Sequence, residues 1–436
     1  MAKKRTGRSR DNQSAQAAGG ATNGLTVRPF AIVIPAALAL QALVWALLFG
    51  LFGILRTGYW FFELSDAFYY YRWYVVRMAE GLHPFRDFFI EYPPLFWPIL
   101  LAPGTQLDEQ TYIIRFVALM MVLVAVTCAV TALAAANGPS LRRPLIVVAV
   151  FSGLTLLLGP IAANRYDPAV ALVLAFVLLS MASRRWIAAA ALIGVGFALK
   201  ITPAILLPLV LILAPRKQTI RMVGGFAVTA IVPFVGVVLA GGNSLTNLTQ
   251  MFRYHLNRPL EIESLFASVF WFGKLFGIAT VKVGQAAGSQ VIVSPAADLA
   301  ATLSVGALLL ALGAVLFLVW RRRAVITSSA SLQALAVLAT LLASLVGSKV
   351  LSPQYFVWIV PAVAIVALDR RVLATLMALV LALTHVLFPA NYWQLADLQV
   401  PGAIWLVVLR NAILLAAFGL SLWYLWKVPE AAASNS

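Results

Sequence analysis

Cysteine is all but missing. Cys128 stands alone among 436 residues, so it has no partner in the chain for a disulfide. The three histidines are scattered, and no Cys/His spacing suits a metal ion. Charge is scarce as well: 11% of the residues are charged and 62% are hydrophobic. A soluble domain carries about 25% charged and about 45–50% apolar residues, so a soluble globular enzyme, a disordered chain and a disulfide scaffold are excluded. Acid is the scarcer sign, with 15 Asp and Glu against 32 Lys and Arg, a net charge of +17. What the chain does have is apolar sequence, in runs that reach the roughly 17–25 residues needed to cross a bilayer.

Residues 1–28 are polar, basic and rich in Ala, Gly and Ser, and read as a disordered cytoplasmic tail. The run from Pro29 to Leu55 is too long for a signal-peptide core and has no clear cleavage site, so it reads as a retained first span. The membrane domain is expected over 29–427, with 428–436 a second cytoplasmic tail. About twelve transmembrane helices are predicted: 30–55, 112–136, 143–160, 168–183, 187–199, 202–214, 219–241, 298–320, 328–346, 353–368, 372–388 and 402–426. The fifth and sixth are short and split by Lys200 and Pro203, which suggests half-helices buried in the bundle. The fold class is therefore an all-α polytopic membrane protein.

The basic residues test this scheme. Arg142-Arg143, Arg184-Arg185, Arg216-Lys217-Arg221, Arg321-Arg322-Arg323, Arg370-Arg371 and Lys427 all fall on the side of the N-terminal tail. That is the positive-inside pattern. It places both termini in the cytoplasm and removes the need for a nucleic-acid partner. Most acidic residues fall on the other side, concentrated in two long outer loops, 56–111 and 242–297. Long ordered loops are commonly functional.

In the first outer loop Ser65 is a plausible N-cap and Gly81 a plausible C-cap. Between them Phe68, Tyr71, Val75, Met78 and Leu82 make an apolar stripe, and Asp66, Tyr70, Trp73 and Arg77 another face. An amphipathic helix lying in the outer interface is expected, with Asp66 in its first turn. A carboxylate there also suits the helix dipole without any chemistry. Pro93 and Pro94 end any helix beyond, and Asp87 and Glu91 read first as braces of that turn.

These pieces carry a resemblance. An Asp after the first span, a Tyr-rich helix and the run from Gly81 to Pro94, with its Asp87 and its Glu91-Tyr92-Pro93-Pro94 end, resemble the polyprenol-phosphate-mannose-dependent mannosyltransferases. These belong to the C-type membrane glycosyltransferase superfamily and include the mycobacterial phosphatidylinositol-mannoside mannosyltransferases. Arg165-Tyr166-Asp167, Lys200-Ile201-Thr202-Pro203, the run Arg258 to Ser264 and the run Lys349 to Tyr355 follow in family order. The tail and the last two spans have no counterpart.

The resemblance implies a C-type glycosyltransferase fold in a bacterial plasma membrane, with the active site on the extracytoplasmic face. It implies transfer of a mannosyl or related residue, with inversion, from a polyprenyl phosphate to a glycolipid or lipid-anchored glycan. A phosphate leaves as a stable anion, so one general base suffices; the family's base falls on Asp66. Cations are wanted for the leaving phosphate, and Lys200, Lys349, Arg165 and Arg258 are candidates, with His255 beside them. The competing readings are a snorkelling Lys200, an Arg258 paired with Glu261 or Glu263, and a merely solvated His255. Gln354 suits a sugar hydroxyl, Tyr70 a stacking role, and Glu91 is kept as a substrate contact. Tyr70, Trp73, Trp97, Tyr355 and Trp358 suit stacking on sugar or polyprenyl, but for most of them an interfacial aromatic belt is the better fit. The outer loops contain no Asp-x-Asp pair, so no metal and no cofactor is expected. A lipid-linked-sugar transporter or flippase is the alternative, but no internal repeat supports it. A purely structural protein is disfavoured by the polar residues at so many span ends.

Overall fold

A computed structural model describes residues 27–54, 66–136, 138 and 140–429. The expected tails 1–28 and 428–436 lie almost wholly outside them, as does Ser65.

The chain is an all-α membrane protein. Its first helix is α1 (Val27–Ile54). A single wide turn, Ala67–Tyr71, then runs into α2 (Arg72–Ala79). Gly81, at φ +85°, closes α2, and Leu82 N–H returns to Arg77 C=O at 3.1 Å, the bond that defines a left-handed helix stop. Short α3 (Phe96–Leu101) leads to α4 (Glu109–Ala134), α5 (Arg142–Leu158), α6 (Asp167–Ala182) and α7 (Trp186–Leu199). A 3-10 turn, Thr202–Leu206, returns the chain through α8 (Leu207–Leu213) to α9 (Thr219–Leu239).

The second outer segment is more than a loop. It holds α10 (Ser244–Leu256), α11 (Ala267–Leu275) and an antiparallel hairpin of β1 (Val283–Ala286) and β2 (Ser289–Ile292). Then come α12 (Pro295–Ser328), α13 (Ala330–Val346), a 3-10 turn Pro353–Val357, α14 (Val360–Val366) and α15 (Arg371–His385). Short α16 (Tyr392–Ala396) precedes α17 (Pro401–Lys427).

Each of the twelve expected spans is an apolar helix or helix pair. Among the described residues, seven are long and apolar enough to cross a membrane: α1, α4, α5, α9, α12, α15 and α17. The other five are shorter: Asp167–Ala182, Trp186–Leu199, Thr202–Leu213, Ala330–Val346 and Pro353–Val366. The difference has a physical cause. From Gln333 to Val346 every side chain of α13 is buried, as expected of a helix that is hydrophobic all round. It packs against α12, α14 and α17, while α6 packs against α4 and α7. These inner helices stop early. Asp167 opens α6, Lys200 ends α7, Gly347 ends α13 and Pro353 begins the turn before α14. Irregular backbone at membrane depth is tolerated where it is enclosed by protein or lines a cavity, and all four ends meet at one.

Candidate functional site

Asp66, Tyr70, Glu91, Arg165, Lys200, His255, Arg258, Lys349 and Gln354, all singled out from sequence, line one cavity of about 320 Å³. They come from six separate stretches of chain. Other residues line it too: Glu261 and Glu263, read from sequence only as partners for Arg258, and Asp167, the hairpin tip Ala287-Gly288-Ser289, Phe388 and Tyr392, which had been given no role.

Asp66 stands at the start of the wide turn before α2. There Arg72 N–H reaches Ala67 C=O, five residues back, which is the π-helical spacing often found at functional sites. The same spacing sets the Tyr71 hydroxyl 3.4 Å from Asp66 Oδ2. Tyr71 is fully buried among the rings of Tyr92, Phe96, Phe116 and Tyr166, so its hydroxyl is held in place. Across the cavity Arg165 Nε lies 3.0 Å from the same Asp66 oxygen. Its guanidinium carbon is 5.1 Å from the Phe388 ring. The expected apolar stripe of α2 is seen where its side chains are described: Tyr71 and Val75 are buried, whereas Tyr70 and Trp73 are exposed. Phe68 lies outside that description.

Lys200 does not snorkel. Its Nζ turns inward onto Asp167 Oδ1 at 2.7 Å, and Trp358 Nε1 donates to the same oxygen at 2.7 Å. The rings of Tyr166, Tyr355 and Trp358 surround the ammonium at 4.8–4.9 Å. Tyr355 and Trp358 therefore belong to the site and not to an interfacial belt: a cation in a dry site gains from aromatic faces as well as from its counter-ion.

Arg258 departs from expectation as well. It is paired with neither Glu261 nor Glu263; Nη2 donates to Ser289 Oγ at 2.9 Å, and among the described residues Nε meets no acceptor. Glu261 is instead a buried clamp. Its carboxylate accepts from Leu351 N–H at 2.7 Å and Ser352 Oγ at 3.1 Å, while its own N–H donates to Lys349 C=O at 3.0 Å. Arg258 and Lys349 are thereby brought to one wall from segments far apart in sequence. Lys349 Nζ donates to Leu256 C=O at 2.6 Å, and partial burial pulls its ammonium below the ordinary lysine range.

Glu263 is taken by Arg410 of α17. Nη1 meets Glu263 Oε2 at 2.7 Å and Nη2 donates to Glu263 C=O at 2.6 Å, with Asn411 Nδ2 on that carbonyl at 3.0 Å. Burial pushes the Glu263 carboxyl up to about 7. The last span thus does touch the site, which the sequence reading had not assigned to it. A charged residue inside an apolar run is the signal that would have found it.

Glu91 braces its turn and lines the cavity. It accepts from the Tyr74 phenol, its carbonyl meets His255 Nε2 at 2.9 Å, and burial raises its carboxyl above the ordinary range. His255 is not simply solvated: burial pushes its imidazole down to about 4. Asp87 only braces the turn, accepting from His83 N–H at 2.7 Å and pairing with Arg86 at 2.7 Å. Gln354 and Tyr70 line the cavity, Gln354 with an Oε1 that meets no donor among the described residues.

The arrangement holds a carboxylate with a fixed partner on one side and several cations on the other, in a concavity among aromatic rings. Such a site suits proton removal beside a departing anion. Among the described residues no cluster of His, Cys, Asp and Glu is arranged to hold a metal ion.

Residues 89–353, more than half of the chain, match the model of glycosyltransferase family 87. The match takes in every candidate residue except Asp66 and Tyr70, which precede it, and Gln354, which follows its last residue. No curated protein matches the chain.

Proposed function

The chain belongs to glycosyltransferase family 87, and from that premise we propose that it moves a mannosyl residue, with inversion, from a polyprenyl phosphate to a glycolipid or lipid-anchored glycan. It is a multi-pass membrane glycosyltransferase; the donor, the acceptor and the residue roles are our reading. The observation that carries it is the convergence of Asp66 and the cations in one cavity. Asp66 takes the acceptor hydroxyl's proton as that oxygen attacks the anomeric carbon. The bond from that carbon to the phosphate oxygen breaks, and the phosphate leaves as an anion that needs no acid.

Two of the four candidate cations are already matched with carboxylates, Arg165 with Asp66 and Lys200 with Asp167. Among the described residues Arg258 and Lys349 are not, and they are the pair to receive the phosphate. Membership in a glycosyltransferase family supports an enzyme over a flippase. The reading also places the cavity on the extracytoplasmic face of a bacterial plasma membrane.

Purified protein in nanodiscs, given labelled polyprenyl-phosphate mannose and a total lipid extract, should make a new labelled lipid. Asp66→Asn should lower the rate about 10²–10⁴-fold, the usual contribution of a general base, with an unchanged melting temperature. Near-normal turnover by that variant would remove Asp66 as the base. Binding of the donor with no product from wild type would overturn the proposed donor and acceptor.

A further inference from the structure

The end of the bundle away from the cavity carries a second concavity, of about 710 Å³. Its charge is one-sided. Arg184 comes from the turn between α6 and α7, Arg216 and Lys217 from the turn between α8 and α9, and Arg323 from α12, and no acidic residue lines it. Among the described residues none of the four cations forms an ion pair. The positive-inside rule accounts for basic residues at this end of each span. It does not account for two separate turns and a helix bringing four of them to one hollow. Cations without a counter-ion repel one another, and a concave, low-dielectric wall focuses their field on whatever anion enters.

The apolar part of the lining says where that anion comes from. Leu211, Ile212 and Trp320 extend the hollow along α8 and α12. Trp320 is exposed where the apolar stretch of α12 gives way to Arg321-Arg322-Arg323, a place where an indole suits the bilayer interface. The hollow also adjoins the two least enclosed spans: only 22% of the α9 window and 17% of the α12 window are buried, against 33–67% for the other five. A lipid diffusing in the bilayer plane reaches it without passing through protein.

We propose that this hollow binds the headgroup phosphate of an anionic phospholipid, its acyl chains lying along α8 and α12. Basic pockets between helices at a membrane surface recognise such headgroups, each cation contributing on the order of fivefold in affinity. The site is independent of the transfer reaction, so its test does not depend on activity.

Full-length protein is extracted from nanodiscs of phosphatidylcholine mixed with phosphatidylglycerol, and the retained lipids are counted by native mass spectrometry. Wild type should keep phosphatidylglycerol in preference to phosphatidylcholine. Arg184→Gln/Arg216→Gln/Lys217→Gln should lose that preference by about a hundredfold in affinity. These side chains are exposed and hold no carboxylate, so the variant should melt like wild type in phosphatidylcholine alone. A control triple at the same end, Arg142→Gln/Arg143→Gln/Arg371→Gln, removes equal charge outside the hollow and should stay within a few-fold of wild type. Equal loss from both triples would overturn the site in favour of diffuse attraction. Displacement of the lipid by inorganic phosphate at matched concentration would overturn the lipid as its ligand.

Discussion

Arg165 lies 3.0 Å from the Asp66 carboxylate and is occupied before any donor arrives. From sequence it was one of four interchangeable cations for the phosphate. The geometry separates them, and the separation is measurable. Arg165→Met should lower turnover while leaving the donor KM within a few-fold, because the base loses the group that orients it. Arg258→Met should raise the donor KM about 10- to 100-fold, the worth of a charge-assisted hydrogen bond, and leave the proton step intact. The opposite split would exchange their roles. His255 makes a different kind of prediction. Half-buried and held neutral down to about pH 4, it binds no proton where an unfolded histidine does, below about 6.5. Its contribution to stability is therefore full above pH 6.5 and is lost as the pH falls toward 4. In a comparison of melting temperatures across that window, His255→Gln should show a shallower decline than wild type; parallel curves would refute the linkage.

At the scale of elements, the apolar runs located the helices because a span must be apolar for its whole length, and charge between runs marks the ends. The contacts that join elements were not legible in the same way. Arg410 and Asn411 are visible as polar residues inside an apolar run, but the partner Glu263 lies 147 residues earlier, and nothing local announces the pairing. The β1–β2 hairpin was missed for a local reason. Its turn residues are Ala287 and Gly288, at φ +48° and +69°, and a non-Gly residue with positive φ is most often Asn or Asp, the usual hairpin signal. Likewise the clamp made by Glu261 depends on backbone N–H groups, which carry no sequence signature. The Glu263–Arg410 pair ties the second outer segment to α17, so breaking it should cost more than a surface pair would. Arg410→Met leaves a buried carboxylate unmatched and should destabilise by about 3–5 kcal/mol. Adding Glu263→Gln should restore much of that, as read by thermal melting in detergent. A single variant that melts like wild type would mean that the pair bears no load.

For the molecule as a whole, the separation of charge is the strongest structural consequence of the sequence. The basic turns cluster at one end, where cross-contacts link them: Arg143 to Asp369 at 3.4 Å, Arg322 to the Trp426 carbonyl at 3.3 Å, and Thr327 to the Leu213 carbonyl at 3.2 Å. The candidate site lies at the other end, where the inner helices stop short. If the basic end faces the cytoplasm, a lipid-linked donor must reach the site from the outer leaflet, and acceptor and product stay outside the cell. Orientation thus decides which substrates the enzyme can meet. Single cysteines report it directly, since the native Cys128 is fully buried. Gln106 is exposed in the turn between α3 and α4 at the cavity end, and Lys217 is exposed in the turn between α8 and α9 at the basic end. Gln106→Cys should react with a membrane-impermeant maleimide on intact cells, and Lys217→Cys only after permeabilisation. The reverse pattern would turn the molecule over, moving the cavity to the cytoplasmic leaflet and with it the pool of lipid-linked sugars from which a donor could be drawn.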